Sequence, residues 1–127
     1  MEIILTSTFS LGMLDNADNA KLNVKKITID DARNLLLNNT WSHGIGHPAT
    51  KQVIQDLLGI ELAEVDPKNR VKVVLTRTNT LVVFQLLHGS RLPEGHILND
   101  EQLQELVNND RVAFYQVSIE SKSKKRR

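Results

Sequence analysis

The segment Gly44-Ile45-Gly46-His47-Pro48 joins two glycines to an imidazole and a proline. Glycines let the backbone approach a ligand closely, and proline suits the first position of a helix, where its missing N–H has no intrahelical partner. The amide groups of that first turn and the positive end of the helix dipole favour an anion. An imidazole beside them can bind a phosphate or pass a proton to a departing oxygen. On spacing alone, the same string also describes a loop with an exposed or capping histidine. A second constellation, Arg91-Leu92-Pro93-Glu94-Gly95, sets a planar guanidinium fork near an acid that can hold it in place. Taken alone it equally describes a surface turn with an ordinary ion pair. Asn69-Arg70 and Thr8-Phe9-Ser10 offer further guanidinium and hydroxyl contacts.

Other chemistries find less support. His43, His88 and His96 match no zinc spacing with His47, and few carboxylates lie near them, so no metal site is expected. No Gly-x-Ser-x-Gly elbow is present. The chain has no cysteine, which excludes thiol catalysis and thiolate ligands and fits a reducing compartment.

The elements that must position these groups follow from periodicity and caps. Residues 2–6 are apolar and β-branched and predict a buried strand. Ser7 to Asn19 is polar and predicts a loop or short irregular helix, and residues 23–28 a more exposed strand. Thr28, followed by Asp31, predicts a capped helix to about Asn38, with Ala32, Leu35 and Leu36 inward. Trp41 to Gly46 reads as a loop. From Pro48 a second helix follows, with Val53, Ile54, Leu57 and Leu58 at helical spacing and Gly59 as its stop. Arg70–Thr76 and Thr80–Leu87 read as strands joined by Arg77-Thr78-Asn79. The second of them, apolar on both faces, is expected to be central, with Leu81, Val83 and Gln85 on one side. Asn99 or Asp100 caps a last helix to about Val107, and Arg111–Ile119 forms the last strand. This order predicts a single α/β domain, α+β-like in its order, with a mixed sheet flanked by helices.

A length of 127 residues, 40% hydrophobic and 24% charged, suits one soluble domain able to bury a core without staples. Residues 1–120 are expected to form it, with 121–127 a basic, solvated tail carrying Lys122, Lys124, Lys125, Arg126 and Arg127. The formal net charge of +1 argues against a duplex DNA partner. Glu2 stands where a signal peptide favours positive charge, and no apolar run approaches a membrane span, so a cytoplasmic protein without a membrane partner is expected.

Taken together, the motifs resemble the viral and mobile-element ring nucleases that act as type III anti-CRISPR proteins. The resemblance covers about residues 2 to 119. It rests on Phe9-Ser10, Ile45-Gly46-His47 before a helix ending Leu57-Leu58-Gly59, Asn69-Arg70-Val71, Val83-Phe84-Gln85-Leu86, Arg91-Leu92-Pro93-Glu94-Gly95 and Ile97-Leu98. The chain departs from the family pattern at Ser7 and Thr8, where asparagine is common, and in a longer Leu87–Ser90 stretch.

The resemblance implies a homodimer that binds cyclic tetra-adenylate across its two-fold axis and cuts it to linear di-adenylates. It implies His47 as general acid, Arg91 as phosphate clamp and Glu94 as its support. Ser10, Ile45, Gly46, Arg70 and Gln85 would contact the ligand. No cofactor is implied: ribose carries its own 2′-hydroxyl nucleophile, so the protein needs to align it, stabilise charge and protonate the leaving 5′-oxygen. The alternative is a non-catalytic protein that sequesters a cyclic nucleotide, for which a proton donor is superfluous. A viral protein-interaction or nucleic-acid adaptor is a third reading, and scarce aromatics argue against base stacking in it.

Overall fold

The computed structural model describes residues 2–15, 20–45, 48–63, 73–87 and 99–120. Among these, the strands are β1 (Glu2–Thr6), β2 (Leu22–Ile27), β3 (Thr40–His43), β4 (Asn79–Leu86) and β5 (Val112–Ile119). The helices are α1 (Ile29–Leu37), α2 (Pro48–Leu58) and α3 (Asp100–Asn108), with a single 3-10 turn at Leu11–Met13.

One mixed sheet results, in the order β2-β5-β4-β1-β3. β1 runs parallel to both neighbours, with Leu5 opposite His43 on one side and Val82 on the other. β5 is antiparallel to both β4 and β2. The central place of β4 follows from its composition: its first six residues are buried, and only a strand covered on both faces favours such a run. Its alternation is as expected, with Val82 and Phe84 in one core and Leu81 and Val83 in another.

All three helices lie on one face. Ile3, Leu5, Val82, Phe84 and Phe114 of the sheet meet Ala32 and Leu36 of α1, Val53, Ile54 and Leu58 of α2 and Leu103 of α3. Phe84 and Phe114 are cross-strand partners whose ring centroids lie 5.4 Å apart at a 58° tilt. The other face has a smaller core of Ile4, Leu75, Leu81, Val83 and Val117, with Phe9, Leu14 and Val73 packed on it. The domain is therefore an α+β fold with helices on one side of its sheet.

Local signals set the helix ends. Thr28 accepts the Asp31 amide at 3.0 Å, and Asn99 and Gln102 form a reciprocal capping box. Gly59 ends α2 with φ +66°, a conformation that favours glycine. Arg33 crosses from α1 to donate from Nε to the Leu58 carbonyl at 2.6 Å, so the end of α2 is also held by a cation.

Two segments differ from expectation. Thr40–His43, of which Trp41–His43 was expected to open a loop, forms edge strand β3, paired in parallel with β1. Of the expected Arg70–Thr76 strand, residues 70–72 lie outside the described residues. In the remainder, Leu75 alone pairs, in an isolated bridge to Leu14. Its expected partner β4 already has β1 and β5 on its two edges. The Asn79 side chain instead closes a turn, accepting from the Thr76 amide at 2.8 Å and donating to the Val74 carbonyl at 2.9 Å. Leu75 is thereby fully buried against the helix-free face.

Candidate functional site

The carboxyl ends of β4, β1 and β3 lie side by side at one rim of the sheet, because the three strands are parallel neighbours. In open sheets of parallel strands, ligands favour the crevice outside these ends. The Thr8–Ser10 segment leaves β1 there, the Gly44–His47 segment leaves β3, and the chain toward Arg91 and Glu94 leaves β4. Topology thus places the exits of three adjacent strands at one rim.

Around β1, Thr6 is buried and folds its own exit: its hydroxyl donates to the Thr8 carbonyl at 3.1 Å and accepts from the Thr8 amide at 3.4 Å. Ser10 follows on the surface with extended backbone, its carbonyl accepting from the Met13 amide at 3.0 Å. The Ser10 hydroxyl makes no cap bond to that turn.

Around β3, the Gly44 amide donates to the Leu5 carbonyl at 2.9 Å and extends the ladder one residue past the strand. Ile45 is 3% exposed and anchors in the helix-side core. Its amide donates to Nδ1 of His43 at 3.3 Å, while His43 Nε2 lies 2.9 Å from the Ala63 carbonyl. One tautomer satisfies both contacts, with Nδ1 accepting and the proton on Nε2. His43 is itself buried. By residue type and spacing alone, His43 enters only as a metal-ligand candidate. The signal for its structural role appears once Thr40–His43 is seen as a strand, since His43 then falls on the inward side opposite Leu5.

Gln85 lies two residues beyond Val83, the partner of Thr6, so it projects past the end of β1. It is half-buried and faces the side of the smaller core, opposite Ala113. Ser10, Ile45 and Gln85 therefore share one rim, but Ile45 is on the helix side of the sheet and Gln85 on the other. Gly46, His47, Arg70, Arg91 and Glu94 lie outside the described residues, as does the 121–127 tail. A groove of about 590 Å³ lies elsewhere on the domain, between Ile29, Val107, Val112 and Phe114, and no candidate residue lines it. Among the described residues no helix is long and apolar enough to cross a membrane, and no group of His, Asp or Glu is placed to hold a metal.

This five-stranded mixed sheet with helices on one face defines a small single-domain α+β class. The chain belongs to the STIV B116-like family, a family of viral proteins whose pattern matches residues 3–115. It is 27% identical over 89 residues to an uncharacterised protein, number 26, of Sulfolobus islandicus filamentous virus (isolate Iceland/Hveragerdi), a match covering 69% of this chain and 70% of that one. Its fold is that of B116 of Sulfolobus turreted icosahedral virus, with a TM-score of 0.78 and 24% identity over 93% of this chain and 99% of that one.

Proposed function

We propose that this protein is a ring nuclease that opens cyclic tetra-adenylate into linear di-adenylates and so suppresses type III CRISPR immunity in the cytoplasm of an infected cell. The observation that carries the reading is the shared rim: β1, β3 and β4, the strands that precede the three motifs in sequence, are adjacent and parallel, so their carboxyl ends lie together. Ribose supplies the nucleophile. Its 2′-oxygen attacks the adjacent phosphorus, forming a 2′,3′-cyclic phosphate as the bond to the 5′-oxygen breaks. Water takes the hydroxyl proton, His47 gives its proton to the 5′-oxygen, and solvent restores it. Arg91, held by Glu94, offsets charge on the phosphorane oxygens. Ser10, Gly46, Arg70 and Gln85 hold the ring, while Ile45, buried in the helix-side core with its amide on His43, acts as an anchor rather than a ligand contact. This chemistry requires no metal and no cofactor.

A ring of four equivalent nucleotides matches a two-fold axis, so a homodimer would present the same groups to opposite phosphates and make two cuts. Dimer formation is checked by light scattering on the purified protein.

The deciding experiment incubates labelled cyclic tetra-adenylate with the protein in excess chelator, beside His47→Ala. Linear di-adenylate from the wild type and its loss in the variant are expected. Tight binding without product from the wild type makes the protein a sequestering binder, and no binding removes both readings.

A further inference from the structure

Helix α2 is held differently at its two ends. Beyond its last turn, Arg33 donates to the Leu58 carbonyl, Gln55 Oε1 accepts from the Leu62 amide at 2.7 Å, and His43 donates to the Ala63 carbonyl. Three side chains from three elements thus share that end. Before its first turn, the Ile45 amide rests on Nδ1 of the same His43. One buried imidazole at the end of β3 therefore touches the backbone on both sides of an eleven-residue helix.

The two contacts differ in redundancy. The Ala63 contact repeats work that Arg33 and Gln55 already do. The Ile45 contact fixes the peptide two residues before His47 and three before the first residue of α2. It is also directional: Nδ1 accepts only while it carries no proton, and its ring plane is set by the second bond at Nε2. From this geometry we propose that His43 is a positioning residue, whose Nδ1 holds the Ile45 backbone at the end of β3, the last fixed point before His47 in the sequence. The proposal rests on the ring-nuclease reading for its effect on rate, but the tether itself does not. A misplacement of about 1 Å at a reacting group lowers rate on the order of 100-fold, so a displaced launch point acts on kcat more than on ring binding.

Two near-isosteric substitutions separate the arms. In His43→Asn the amide oxygen occupies the Nδ1 position and keeps the Ile45 contact while losing Ala63. In His43→Gln the amide nitrogen occupies the Nε2 position and keeps Ala63 while losing Ile45. Amide hydrogen exchange of Ile45, thermal melting and single-turnover cleavage of cyclic tetra-adenylate are measured on both variants. Expected are a protected Ile45 amide and near-wild-type kcat in His43→Asn. In His43→Gln, faster exchange at Ile45 and a kcat lower by on the order of 10- to 100-fold are expected, with KM little changed. Equal exchange at Ile45 in the two folded variants overturns the tether. Equal kcat despite different exchange overturns its role in positioning. A wild type that leaves the ring uncut sinks the nuclease reading, while the exchange data still decide the tether.

Discussion

The two halves of the sheet share β4 and solve opposite problems. In the antiparallel half, β2 runs straight into the Thr28 cap of α1, and α3 hands over to β5 through a tight reversal. Helix ends there are satisfied by their own neighbours: Thr28 and the Asn99–Gln102 box engage the first amides of α1 and α3. In the parallel half, the chain leaves each strand at the same rim, and α2 opens with Pro48 directly after Gly46-His47. The comparison teaches a division of labour, in which one half closes its helix ends on itself and the other brings the carboxyl ends of three parallel strands to one rim.

The sharpest way to break that division is to move chemistry and stability independently. His47→Ala is expected to lower cleavage by roughly 10²–10⁴-fold, the usual contribution of a positioned acid. Urea denaturation should leave its midpoint unchanged. Because an acid must carry its proton, the wild-type rate should fall as pH rises through the histidine titration, and a pH–rate profile rising on the alkaline side would make His47 a base. Phe84→Ala strikes the strand both halves use. Phe84 is 1% exposed against Phe114, and truncation is expected to cost about 3–5 kcal/mol. The only tryptophan, Trp41, sits on β3 and reports the parallel half by fluorescence, while circular dichroism reports the whole. The two probes should lose signal together, and separate transitions would show halves that fold apart.

The antiparallel half was the more legible of the two in the sequence, for a physical reason. Thr28 and Asn99 act within a few residues of themselves, so their types announce helix ends without knowledge of the fold. The buried run of β4 likewise announces a central strand. β3 did not announce itself. Thr40-Trp41-Ser42-His43 is short, half polar and at an edge, and only its distant pairing with β1 makes it a strand. Val73 to Leu75 differ the other way: β-branched residues suggest a strand, but the Asn79 side chain diverts the backbone and buried Leu75 keeps only a single bridge to Leu14. For the site, residue types pointed to His47, Arg91 and Ser10. That the strands preceding them are neighbours depends on strand order, which is non-local. The sequence carried no sign of the His43–Ile45 contact until β3 placed His43 inward.

A smaller effect sharpens the same contrast. Thr28→Ala removes the cap of α1 and should cost about 1 kcal/mol, read from the urea midpoint. Thr28 lies on the half assigned to stability, so the cleavage rate of the folded variant should not change. A rate loss without a stability loss would extend the site across β5 to β2.

The smallest effect concerns the reversal after α3. The Arg111 amide bonds the Leu106 carbonyl at 2.9 Å and the Asp110 amide bonds the Val107 carbonyl at 3.1 Å, the paired pattern that closes a helix around a left-handed residue. That residue is Asp110, with φ 54°, where glycine meets no Cβ penalty. Asp110 also receives Lys26 Nζ at 3.3 Å, but both side chains are more than half exposed. Such a surface pair contributes about 0–1 kcal/mol. Asp110→Gly therefore relieves backbone strain and gives up a weak ion pair, and the net shift should be within about 1 kcal/mol and stabilising. Lys26→Ala isolates the ion-pair part and should be destabilising by less than about 1 kcal/mol, an effect that shrinks with added salt. If Asp110→Gly instead destabilises by more than Lys26→Ala does, the aspartate side chain rather than the backbone bonds closes α3, and the self-satisfied character assigned to this half would rest on a side chain reaching across to β2.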